Sequence, residues 1–380
     1  MKQTSTIIST YSADVFGVCS ALFELGGMVV MHDASGCNST YTTHDEPRWY
    51  DMDSMVYISG LSEMEAVMGD DEKLVSDICE AAQQLKPRFI ALAGTPIPTM
   101  TGFDFPAVAR LIEYRTGIPA FGFPTTGMNS YVQGASMALE AVARRFVTRD
   151  AEKTEVPSAN ILGLTPLDFS VNGSDASIAE FLEESGFNVL SRWAMGSTLE
   201  DMAKAGSAHV NLVVSSTGLG AAKALRELFG TPYVVGVPMG EAFSAILREA
   251  LNAAVSTGEN QFPKSDLPDG DIVLIGEAVT ALSLASALEL SAGKAVRVFC
   301  PTECERVLLR EKDLHLQSEE EIVSALAGAG TLIADPLFRP ICPENTRFVA
   351  LPAENFSGRI WRQDIPNLIS DFEVFARKVH

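Results

Sequence analysis

The most chemically suggestive pair in this chain is Gly36-Cys37, which closes the run Met28-Val29-Val30-Met31-His32-Asp33-Ala34-Ser35-Gly36-Cys37. An apolar stretch of strand length ends in small residues and then presents a thiol. A parallel α/β sheet offers ligand-binding groups in this way, at the carboxyl end of a strand. A thiolate in that position can bind soft metal centres, iron–sulfur clusters among them, whereas an isolated cysteine also serves as a small apolar core residue. Three further loops follow apolar runs in the same manner: Gly94-Thr95-Pro96-Ile97-Pro98-Thr99, Pro124-Thr125-Thr126-Gly127-Met128-Asn129 and Ser215-Ser216-Thr217-Gly218-Leu219-Gly220. If the sheets face one another, these loops line one polar cleft.

Other candidates admit plainer readings. The Gly-x-Gly of the Ser215 loop could hold an anion on backbone amides, but it lacks the dinucleotide fingerprint and the lysine of a P-loop, and tight helix-on-strand packing explains it better. Cys300 and Cys304 have spacing close to that of some metal sites, yet a second pair is missing and only Cys342 is nearby, so structural thiols are the simpler reading. Cys19 and Cys79 lie in helical stretches and read as core. His44, Asp45 and Glu46 could move protons, but with Arg48 and Trp49 close behind, the segment reads first as a subunit-contact loop.

These groups need a scaffold. At 380 residues the chain exceeds the roughly 250–300 at which one core stops growing, so two or three domains are expected. Strand-length runs at 28–31, 89–93, 119–123, 161–164, 210–214, 233–237, 272–275, 296–299 and 331–334 alternate with helical stretches such as 72–84, 176–184, 221–228, 242–254 and 278–290. That alternation predicts α/β architecture, in three Rossmann-like domains that are each a parallel sheet flanked by helices. Charged residues 145–157 and the Gly/Pro/Asp-rich 256–270 mark the boundaries, giving domains 1–150, 151–265 and 266–380. A net charge of −21 with no basic stretch argues against nucleic acid and anionic membranes. The longest apolar stretch, 272–293, is interrupted by Glu277 and Glu289 and reads as a strand plus a helix, not a membrane span. Six cysteines are too few for a disulfide scaffold, and no secretory signal is evident, so cytoplasm is the expected compartment.

The order of segments from Gly36-Cys37 through Ile58-Ser59-Gly60-Leu61 and Glu63-Met64-Glu65 to Lys86-Pro87-Arg88-Phe89-Ile90 resembles the first domain of the nitrogenase component 1 superfamily, most closely a beta-type subunit. Asn160-Ile161-Leu162-Gly163-Leu164, Gly196-Ser197-Thr198-Leu199-Glu200-Asp201, Ala208–Ser215 and Val237-Pro238-Met239-Gly240 continue the family's order, and the last third matches loosely. The resemblance implies an iron–sulfur cluster, of [4Fe-4S] type, shared with a partner subunit. It places the cofactor-binding positions at Gly36, Cys37, Thr95 and Ser215, and the metal ligands at Cys37 and Asp14. The family's first cysteine falls near Ser12 and its third at Thr95-Pro96, so two of three ligands are absent here. One thiolate cannot hold a four-iron cluster; a second component 1-type subunit, identical or homologous, must supply the rest, with an oxygen ligand such as Asp14 assisting. Ser215 stands where alpha-type subunits carry the cysteine for the catalytic metal cofactor, so the resemblance points away from a true nitrogenase. It implies an oxidoreductase subunit that receives electrons from an ATP-dependent iron–sulfur reductase. The alternatives are a non-catalytic scaffold for metal-cluster assembly and a small-molecule-binding protein that has lost its cluster.

Overall fold

Four-residue runs of Val, Ile, Leu, Met and Ala that are buried along their whole length can only be interior strands of parallel sheets, because both faces need a cover. The computed structural model describes residues 6–7, 13–34, 36, 46–268 and 270–379; Ser12, Cys37 and His44 lie outside the described residues. It contains three sheets. The first is β1 (Met28–Met31), β2 (Met55–Ile58), β3 (Ile90–Ala93) and β4 (Ala120–Phe123), in spatial order β2-β1-β3-β4. The second is β5 (Ser158–Leu162), β6 (Asn188–Arg192), β7 (Val210–Val213) and β8 (Tyr233–Val235), in order β6-β5-β7-β8. The third is β9 (Ile272–Ile275), β10 (Val296–Cys300), β11 (Leu314–His315), β12 (Thr331–Ala334) and β13 (Arg347–Ala350), in order β11-β10-β9-β12-β13. Every strand pairing is parallel. The α/β class with three helix-flanked parallel sheets is as the sequence predicts.

Four strands were not legible in the sequence: β2, β6, β11 and β13. All four sit at sheet edges and carry exposed or half-exposed positions. An edge strand needs no continuous apolar run, so its signal is diluted. The 272–293 stretch resolves into β9 and the helix Ala278–Ala292, which is buried nearly all round between neighbouring elements. Among the described residues no helix is long and apolar enough to cross a membrane.

One contiguous apolar core runs from Val15 to Val379 through all three sheets. Helix Tyr131–Phe146 is central to it. It packs on helix Asp14–Leu22 so closely that a Cβ at Gly17 would lie 2.0 Å from the Tyr131 carbonyl oxygen, and one at Gly134 would lie 1.8 Å from the Asp14 carbonyl oxygen. Two helices can approach backbone to backbone only where side chains are absent. The contact fixes where Asp14 and Tyr131 sit. Gly134→Ala is therefore expected to lower stability by about 1–3 kcal/mol through overpacking, read as a lower urea midpoint with unchanged slope.

Candidate functional site

In open parallel sheets ligands bind at the point where successive strands leave in opposite directions. Each sheet here has one such point: between β1 and β3, between β5 and β7, and between β9 and β12.

At the first, β1 runs into His32, Asp33 and Gly36. Gly36 is exposed, and a Cβ added to it would meet nothing within 4 Å, so the turn before Cys37 faces open space. His32 is buried, its Nδ1 2.8 Å from Ser59 Oγ and its ring 4.5 Å from that of Phe103. Burial lowers its pKa to about 4, which leaves it neutral near pH 7. Thr95 is buried and donates its hydroxyl to the His32 carbonyl at 3.0 Å, tying the end of β3 to that of β1. Asp14 is buried beneath the β4 loop. Its Oδ1 accepts from the backbone N–H of Val15 (2.9 Å) and Gly127 (2.8 Å), and its Oδ2 from Thr126 N–H (2.9 Å) and Asn129 Nδ2 (3.1 Å). A carboxylate has about four acceptor sites. Four donors use them, so Asp14 is committed to holding the 126–129 loop. Arg48 also turns inward. It bonds Glu46 (2.6 Å), Glu24 (2.9 Å) and the carbonyls of Ala194 (2.7 Å) and Ser20 (2.8 Å), while Tyr50 stays exposed.

The second and third switch points face each other across a cavity of about 70 Å³. Its walls are apolar, from Met239, Leu274, Ala281, Phe356 and Ile369, and its polar end carries Asp168, Glu277 and Asn355. Asp168 lies in the short helix Pro166–Phe169 that follows β5. It accepts hydrogen bonds from the Tyr131 hydroxyl and from Thr165 Oγ1 (2.7 Å), and Asn355 Nδ2 reaches the Tyr131 hydroxyl at 2.8 Å. Desolvation, reinforced by the nearby Glu277 carboxylate, raises the Asp168 pKa to about 7. Burial and Asp168 push the Tyr131 phenol well above its usual value. Glu277 caps helix Ala278–Ala292 by accepting from Val279 N–H (3.1 Å) and Thr280 N–H (3.0 Å), and it also accepts from Ser216 N–H (3.0 Å). A carboxyl group that titrates near neutrality beside a cavity can deliver or take up a proton there.

Of the sequence-predicted positions, Gly36, Thr95 and Asp14 thus gather at the first switch point, with Cys37 following Gly36 in the chain. Ser215 lies at the second. It is buried, accepts from Thr217 N–H (3.2 Å) and hydrogen-bonds Asp168. The glycines after it serve packing: a Cβ at Gly218 would be 2.5 Å from the Leu162 carbonyl, and one at Gly220 2.7 Å from that of Ser136. The expected single cleft is replaced by two regions, since neither the 95–99 nor the 125–129 loop lines the cavity. Both regions meet helix Tyr131–Phe146, whose side chains and N-terminus occupy the space between. Asp168 and Glu277 had a usable signal, because each follows an apolar strand as Gly36-Cys37 does. Tyr131 and Asn355 had none, since their contact spans 224 positions.

Residues 14–265 match the family of nitrogenase component 1 type oxidoreductases. The chain belongs to this family. It is 29% identical over 207 residues to a light-independent protochlorophyllide reductase subunit of Prosthecochloris aestuarii, covering 52% of this chain and 38% of that protein. It is 25% identical over 266 residues to the nitrogenase iron-molybdenum cofactor biosynthesis protein NifE of Rippkaea orientalis, covering 68% of this chain and 54% of that one. The chain thus spans about half or less of the length of these relatives. Its fold is similar to that of nitrogenase Cp1 at pH 6.5, with a TM-score of 0.71 at 16% identity over 100% of this chain and 93% of the other.

Asp168 makes the family member's stability depend on pH in a defined sense. Between roughly pH 4, where an unfolded aspartate ionises, and about 7, the folded chain keeps a proton that the unfolded chain has lost, so stability falls as pH rises through this window. Asp168→Asn removes the titration. Melting curves across pH 4–8 should show wild type losing ground to the variant up to about pH 7, with a constant difference above it.

Proposed function

We propose that this chain is a subunit of a nitrogenase-like, iron–sulfur-dependent reductase that receives electrons from an ATP-dependent reductase partner. The observation that supports the reading is the first switch point: in a chain of this family, β1 runs on through His32 and Asp33 to an exposed Gly36, and Cys37 is the next residue in the sequence. Cys37 is the proposed cluster ligand. Thr95 and Asp14 enter as the groups that brace the neighbouring strand ends, because the Thr95 hydroxyl faces the His32 carbonyl and the Asp14 carboxylate is taken up by four donors. Among the described residues no group of three or more His, Cys, Asp or Glu could hold a metal ion. Ser12 and Thr95-Pro96 stand where the family carries its other two cysteines, so the remaining ligands are assigned to a second component 1-type subunit, identical or homologous. A bound cluster would supply single-electron transfer.

The face beside this point suits such a subunit. Helices Glu63–Met68 and Pro96–Thr101 pack together there, and Met64, Val67, Met68 and Met100 are 72%, 78%, 72% and 87% exposed. Flexible apolar side chains gathered on a surface mark a docking site. Reduction also consumes protons, and Asp168 is the proposed donor to a reactant held in the cavity between the second and third sheets, with Ser215 hydrogen-bonded behind it. Residues 1–150, 151–265 and 266–380 serve as the three units around these sites, in a cytoplasmic protein. The NifE relative, matched over 68% of the chain, supports a second reading as an assembly scaffold for a metal cluster.

Anaerobic purification with the partner encoded beside it should yield a complex that is at least dimeric by light scattering and contains iron and acid-labile sulfide. Cys37→Ala should remove most of both, whereas Cys19→Ala should leave them near the wild-type level, because Cys19 is a buried core thiol. Unchanged iron in the Cys37 variant would overturn the assignment. Multiple turnovers with reductase and ATP separate a reductase from a scaffold.

A further inference from the structure

The residues around the cavity between the second and third sheets restrict what it can hold. Leu274, Ala281 and the aromatic side chains of Phe169 and Phe356 line it. Its ionisable groups are two carboxyls, Asp168 and Glu277, and among the described residues no lysine, arginine or histidine lines it. An anion would enter without a countercharge. A positive head group meets the opposite situation, since carboxylates and aromatic rings both attract it. The two carboxyls differ in their freedom to take a ligand. Glu277 accepts from Ser216, Val279 and Thr280 N–H and from the Ser216 and Thr280 hydroxyls, so its oxygens are occupied and it contributes charge alone. Of the donors to Asp168, Asn355 alone lines the cavity, and its Nδ2 lies 3.4 Å from Oδ1, longer than an ordinary N–H···O bond. If displaced, it keeps the Tyr131 hydroxyl as a partner at 2.8 Å. The volume, about 70 Å³, is roughly half the ~150 Å³ in which an apolar cavity holds benzene, which limits a ligand to about three to five heavy atoms.

We infer that the cavity binds a small nitrogen base, an aliphatic amine or imine, as its cation, an inference that rests on the reading of this cavity as the reactant site and names the class of reactant. The nitrogen sits at Asp168, and the hydrocarbon part packs on Leu274, Ala281 and the two phenylalanines. The base enters neutral. Asp168, which holds its proton up to about pH 7, gives it to the nitrogen lone pair. One O–H bond breaks and one N–H bond forms, leaving an ammonium or iminium ion paired with the Asp168 carboxylate. The Glu277 charge, which disfavours ionised Asp168 when no ligand is bound, is offset once the cation is present. The Tyr131 phenol, pushed well above its usual range by burial and by Asp168, stays protonated throughout and keeps its hydrogen bond to the carboxylate.

The full-length chain is titrated by isothermal calorimetry with ethylamine hydrochloride, with ethanol as its uncharged counterpart and sodium acetate as the anion. Above about pH 7, ethylammonium should bind at least ~10-fold more tightly than ethanol, and acetate should not bind. Below about pH 7 the affinity for ethylammonium should fall about tenfold per pH unit, with one proton released per ligand bound, because the cation takes the place of the Asp168 proton. Asp168→Asn should weaken ethylammonium binding at least ~10-fold and abolish the proton release. Ethanol binding as tightly as ethylammonium, no binding of ethylammonium, or binding without proton release in the lower range each overturns the proposal. All three are read on the wild-type chain, so a variant that fails to fold does not obscure them. None involves the cluster: failure here leaves the Cys37 assignment standing, and a chain without iron leaves this test intact.

Discussion

The start of helix Tyr131–Phe146 is held from three directions, and the positions of the other elements follow from it. Asp14 N–H donates to the Asn129 carbonyl while its carboxylate accepts from the N–H groups of Thr126 and Gly127, which joins the first sheet to this point. Glu303, beyond the end of β10, accepts from Ser130, which joins the third. The Tyr131 hydroxyl reaches Asp168 beyond the end of β5, which joins the second. A charge-assisted hydrogen bond contributes about 1.5–3 kcal/mol, and a buried carboxylate left without its donors costs more than the bond itself. Each tie therefore constrains the helix against rotation and sliding, and the glycine contacts at Gly17 and Gly134 remove any slack between the helices.

A second consequence of this arrangement is the unequal treatment of two neighbouring carboxyl groups. Glu277 sits at a helix N-terminus and receives three backbone N–H groups together with the hydroxyls of Ser216 and Thr280. Asp168 receives hydroxyls and an amide, loses solvent, and feels the field of Glu277. Desolvation and the Glu277 charge together raise the Asp168 pKa to about 7. The geometry therefore separates a group suited to carrying a proton near neutral pH from one that anchors a helix, beside a cavity whose other walls are apolar.

Much of the scaffold was legible in the residues. Strands 272–275 and 331–334 match the structure at both ends, and interior strands were readable because burial on both faces demands unbroken apolar runs. Edge strands such as β6, Asn-Val-Leu-Ser-Arg, escaped because only part of each is buried. Among the site residues, those that follow interior strands could be found by position alone. Their roles could not. Asp14 offers oxygen ligands in the sequence but accepts from three backbone N–H groups and the Asn129 amide, and Arg48 looks like a contact residue but is buried among Glu24, Glu46 and two carbonyls.

The sequence by itself determined the class of fold, the parallel order of its interior strands, the family, and the Gly-Cys pair that ends the first apolar run. These are local properties: periodicity, burial demand and the succession of short segments along the chain. The tertiary structure alone decided that Tyr131, Asp168, Glu277 and Asn355 form one polar cluster, that Cys300 is buried while Cys304 is half-exposed, and that Asp168 titrates near neutrality. Hydrogen bonds across long separations, exclusion of solvent and the field of a neighbouring charge depend on distance in space, and a linear chain does not record those distances.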